Sequence, residues 1–106
     1  MAHYLVTASP RTPRLQELQS RLARDEFIAL RPFGRELSSA LRRARRLPDG
    51  RATWEEEDYC RPPLAQERDA VLDQYFDDLE VEPVVRGSGW DLIEPLPPLF
   101  PDLAGP

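Results

Sequence analysis

The chain contains no lysine; all 14 of its basic residues are arginine. Every positive charge is therefore a planar guanidinium suited to bidentate contacts, and none is an amine that can form a Schiff base or grip a nucleotide phosphate as a Walker-type lysine does. Cysteine occurs once, at Cys60, and histidine once, at His3. No internal disulfide can form, and one thiol with one imidazole falls short of a zinc cage. Such cysteine usage points to a reducing, cytoplasmic setting. Long apolar runs are missing too. The opening MAHYLVTASP is too short for a secretory core, and no segment reaches the length that spans a bilayer.

What is abundant is charge, and it is unevenly placed. Residues 1–47 hold ten arginines against four acids, a net of +6; residues 48–106 hold four arginines against fifteen acids, a net of −11. The two values sum to the −5 of the whole chain. This asymmetry predicts a partner of opposite sign, met most simply by the other half of the chain or by a second copy in a homodimer. The overall acidity argues against nucleic acid as partner.

Hydrophobic patterning predicts a single α+β domain over residues 1–94, followed by a proline-rich extended tail over 95–106. Strands are expected at His3–Ala8, Phe27–Leu30 and Ala52–Cys60, and again at 81–86 and 90–94. Helices are expected after Thr12-Pro13, over 35–47 and over 64–79. The strand–helix–strand start fits a parallel crossover, so the sheet is expected to be mixed, with about three helices packed against it. The element order resembles the ferredoxin-like pattern with an extra helix. Pro83 marks its strand as an edge or a bulge, and the tail is expected to lie on its own domain or on a neighbouring subunit.

The stretch from Arg51 to Leu79 concentrates most of the candidates for chemistry. Glu55, Glu56, Glu57 and Asp58 follow one another in the third strand, with Trp54, Glu56, Asp58 and Cys60 on one face and Thr53, Glu55, Glu57 and Tyr59 on the other. Same-face carboxylates two apart can share Mg²⁺, yet no other segment offers converging oxygen ligands, so neither metal nor cofactor is expected. The run reads as a solvated edge strand that resists aggregation. Arg68 falls inside the apolar stripe of the following helix. It is expected either to snorkel to water, to pair with Glu55, Glu57 or Asp58, or to hold an anionic ligand. Cys60 beside Arg61 has the surroundings of an activated thiol, with His3 as the sole candidate base; the plainer reading is an apolar filler at a strand end.

Arg35, Arg42, Arg43, Arg45 and Arg46 form a basic surface that could contact phosphate, although no aromatics interleave it for base stacking. Arg86-Gly87-Ser88-Gly89 has the composition of a backbone nest for an anion, and equally of a hairpin turn. Three function classes follow. The first is a non-enzymatic binding or protein-interaction module that self-associates. The second is a small-molecule-binding or catalytic domain built on Arg68 and the acids at 55–58, and the third is a nucleic-acid-associated protein using the arginine helix. The absence of lysine and of a second histidine favours the first, so an enzyme is the less expected outcome.

Overall fold

The computed structural model describes residues 2–103. Strand β1 (Ala2–Pro10) leads through a 3₁₀ turn at Thr12–Arg14 into helix α1 (Leu15–Ala23). Helix α2 (Gly34–Arg42), the two-residue strand β2 (Arg45–Arg46) and strand β3 (Ala52–Asp58) follow. Helix α3 occupies residues 65–75 and widens to a π-helical turn over Arg68–Leu72. Strand β4 (Phe76–Val84) and helix α4 (Ser88–Ile93) complete the set.

The sheet runs β2-β3-β1-β4, and every pairing in it is antiparallel. The mixed sheet and its parallel crossover are thereby corrected. The reason lies in Phe27–Leu30, which is not a strand. Asp25 takes a left-handed conformation (φ 56°) just past the end of α1, and the apolar run then folds into consecutive turns. Phe27 is fully buried, with its ring beneath the Arg21 guanidinium, and the Phe27 carbonyl lies so close to Gly34 that a Cβ there would sit 2.1 Å from it. Four apolar residues carry too little periodicity to separate a strand from a buried turn.

Other boundaries shift for equally local reasons. Helix α2 stops at Arg42 because Arg45 and Arg46 pair with Thr53 and Ala52 across the Pro48-Asp49-Gly50 turn. Helix α3 stops at Tyr75, because from Leu79 onward apolar and acidic residues alternate and the chain turns extended. Residues 90–94, expected as a strand, lie in α4 and just beyond its end. Strand β4 is the sheet's free edge, and it holds Pro83.

The core lies on one face of the sheet. Val6, Ala8, Trp54 and Phe76 from the strands meet Leu18 and Leu22 of α1, Leu37 and Leu41 of α2, and Val71 and Leu72 of α3. Leu99 and Phe100 belong to the same core, held there by a hydrogen bond from the Leu99 N–H to the Ala44 carbonyl and by a bridge between Pro98 and Arg45. Helix α4 packs on the opposite face, where Gly89 approaches Leu5 and Glu55. Among the described residues no helix is long and apolar enough to cross a membrane.

Candidate functional site

The acidic strand is not a solvated edge. Strand β3 lies between β2 and β1, and Glu55, Glu56 and Asp58 are all buried. Strand β2 covers only the start of β3, so beyond it the outer side of the acidic half is met by α2: the Glu57 N–H donates to the Glu36 carboxylate at 2.8 Å. Alternation sends the four acids to different fates.

Glu55 points to the α4 face. Its carboxylate accepts hydrogen bonds from the N–H groups of Gly87 (2.8 Å), Gly89 (2.7 Å) and Trp90 (3.3 Å), with the His3 imidazole 3.7 Å away. The Arg86-Gly-Ser-Gly segment therefore does cradle an anion, and that anion is the protein's own side chain. Glu57 shares this face, accepting from the Tyr59 hydroxyl at 2.9 Å with the other His3 nitrogen at 3.6 Å. The positions of His3 are thus taken up by Glu55 and Glu57.

Glu56 and Asp58 point to the core face. The Trp54 indole N–H donates to one Glu56 oxygen at 2.9 Å; the other oxygen is buried without a partner. One Asp58 oxygen accepts from the N–H groups of Cys60 (3.1 Å) and Leu64 (2.6 Å), which fixes the loop entering α3. That loop places Glu67, 0% exposed, against both of them, and its carboxyl meets no N–H or hydroxyl donor, only the carboxyls of Glu56 and Asp58. Burial raises the Glu56 carboxyl well above its usual range, and the neighbouring Glu67 adds to the rise. Burial likewise pushes Glu67 up to about 7, with Asp58 contributing. Nothing in the sequence alone singles out Glu67. Its only signal was an acid one position ahead of Arg68 on a helix whose apolar face was already broad.

Arg68 takes no part in this cluster. It is 45% exposed, and its ion pair is with Asp73 at 3.4 Å rather than with Glu55, Glu57 or Asp58. Cys60 does take part: its sulfur and one oxygen each of Asp58 and Glu67 lie within 4.8 Å of one another. A hydrogen bond from the Gln66 backbone favours the thiolate, but burial and the Asp58 and Glu67 carboxyls outweigh it and hold the thiol above its ordinary range. Cys60 is therefore expected to react with iodoacetamide at neutral pH several-fold more slowly than free cysteine; a rate above that of free cysteine would overturn this account.

Beside the cluster opens a cleft of about 400 Å³, lined by Pro32, Phe33, Arg35, Glu36, Glu57, Asp58, Tyr59, Cys60 and Gln66. Of the basic surface, Arg35 alone reaches this cleft. Arg42 bonds the Leu22 carbonyl at 2.6 Å, Arg43 stacks on Trp90 at 4.0 Å and Arg45 bonds the Leu96 carbonyl at 2.8 Å, which leaves Arg46 exposed on the short strand β2. No protein-family model matches the chain, and neither curated proteins nor solved structures provide a match.

Proposed function

We propose that this protein is a small non-enzymatic binding module whose ligand presents a cationic group on an apolar body to the cleft beside Tyr59. One observation carries the reading. Pro32, Phe33 and Tyr59 form an apolar wall, while Glu36, Glu57 and Asp58 outnumber Arg35 around the same opening. A concave surface with one sign of charge and low-dielectric walls concentrates ions of the opposite sign. Tyr59, 70% exposed, offers a ring face on which a guanidinium or ammonium can rest. The raised thiol of Cys60, and the engagement of His3 with Glu55 and Glu57, support binding over nucleophilic catalysis.

The test is a titration with benzamidinium, followed by amide NMR, with benzoate as the oppositely charged control. Benzamidinium is expected to move the amides of Phe33, Tyr59 and Gln66, benzoate to leave them in place, and Tyr59→Ala to weaken binding by roughly threefold or more, as loss of an exposed cation–π contact would. Equal binding of benzoate, or undisturbed cleft amides with both, would overturn the reading.

Self-association is a second reading with its own support. Among the described ion pairs, only Arg11–Asp77 and the two His3 contacts join the basic half to the acidic half. The halves thus do little to neutralise each other, and exposed charges such as Arg31, Arg46, Asp69 and Glu80 could meet a second copy. The order β2-β3-β1-β4, with helices in the β1–β2 and β3–β4 connections and α4 as the extra one, supports a ferredoxin-like outline. The lone cysteine supports a cytoplasmic setting.

A further inference from the structure

We infer that Asp58, Cys60 and Glu67 form a binding site for a divalent cation of borderline softness, of the Zn²⁺ class. Buried polar atoms almost always have a hydrogen-bond partner, and a buried carboxyl without one is destabilising. Glu67 is completely buried and neither of its oxygens receives an N–H or hydroxyl donor; its polar contacts are with the Glu56 and Asp58 carboxyls alone, and Glu56 has one oxygen in the same position. The chain has fourteen arginines, yet among the described residues none forms an ion pair with Glu56, Asp58 or Glu67. Two carboxyls and a thiol thus converge, with the Glu56 carboxyl against Glu67, and no protein cation balances them.

The donor set then selects the ion. Carboxylate oxygens alone would suit Mg²⁺ or Ca²⁺, whereas a thiolate among them favours Zn²⁺ and its neighbours. The three ligand atoms lie within 4.8 Å of one another. Tetrahedral zinc holds its oxygen and sulfur ligands at about 2.0–2.3 Å, so side-chain shifts on the order of 1 Å would close the site. Glu56, whose carboxyl contacts Glu67, would act on the site through that residue by orienting its carboxylate. An entry path exists, because Asp58 and Cys60 line the cleft on one side and a second depression with Ala2, Tyr4 and Arg61 on the other. The site shares Asp58 with the cleft proposed for the cationic ligand but does not use the Tyr59 ring, so Tyr59→Ala is expected to weaken that ligand far more than it weakens cation binding.

The experiment uses the full chain treated with EDTA and then dialysed. Titration with Zn²⁺ is expected to give a saturable, one-site heat and a rise in Tm that Mg²⁺ does not produce. Co²⁺ is expected to give the intense near-ultraviolet absorption of a thiolate–cobalt bond, lost in Cys60→Ser, and Glu67→Gln is expected to weaken Zn²⁺ by at least tenfold. No heat and no Tm change with Zn²⁺ would overturn the site. So would a Co²⁺ complex of the wild type without thiolate absorption, a readout that does not depend on how either variant folds.

Discussion

Moved from pH 5 to pH 8 in the presence of chelator, the protein is expected to lose roughly 2–3 kcal/mol of unfolding free energy, while Glu67→Gln, which keeps only the Glu56 contribution, loses less. The sign follows from where the proton is held. A glutamate in the unfolded chain releases its proton near pH 4.5, whereas Glu67 in the fold keeps it until about 7. Between those values the folded state binds the extra proton, so stability falls as pH rises and levels off above the folded value. Glu56 acts in the same direction, raised by burial and by Glu67. The groups facing this pair are Asp58 and Cys60 from the loop side, Glu36 from α2 and the ladder partner Tyr4 from β1, and none of them is a cation. The lowered carboxyls of Glu17 and Glu26 stabilise the fold in the opposite sense, but they do so around and below pH 4.5. Urea unfolding at the two pH values, for wild type and variant, measures the difference. A wild type whose stability is flat or rises would show that Glu56 and Glu67 are not held protonated in the fold.

Glu55→Ala is expected to lower stability by about 3 kcal/mol, several times the effect of removing an exposed acid. The loss comes from the N–H groups of Gly87, Gly89 and Trp90, which would remain directed at a carboxylate that is gone. Gly89→Ala supplies the complementary test. A Cβ at residue 89 would meet a Glu55 oxygen at 2.8 Å and Leu5 Cδ1 at 3.3 Å, an overpacking that costs about 1–3 kcal/mol. Because removing the carboxylate also removes the closer of these contacts, the double variant is expected to be less destabilised than the sum of the two. Strict additivity in denaturant unfolding would mean that the carboxylate and the glycine do not share this space.

Much of the site was legible from the period of the strand alone. Alternation from Trp54 to Cys60 separates Glu56, Asp58 and Cys60 from Glu55 and Glu57, and the structure keeps that division while burying three of the acids. Burial itself was not legible, because it depends on partners far along the chain: the N–H groups at 87–90 for Glu55, and α3 for Glu56 and Asp58. Glu67 is not legible in the sequence because a helical projection ranks residues by hydrophobicity and places a buried acid with the exposed ones. The course of the sheet was missed at Phe27–Leu30, where burial of Phe27 under Arg21 and the close approach of Gly34 override strand propensity.

The order of the sheet has a consequence in time. Strand β1, which comes first in the chain, sits between β3 and β4, whose last residues are 58 and 84. At a synthesis rate of about 5–20 residues per second, β1 waits several seconds for its first neighbour and longer for its second. Leu99 and Phe100 enter the core later still. The nascent chain therefore carries β1 as an unpaired apolar ribbon until β3 has been made, and the interior is completed only after Leu99 and Phe100 have followed both neighbours.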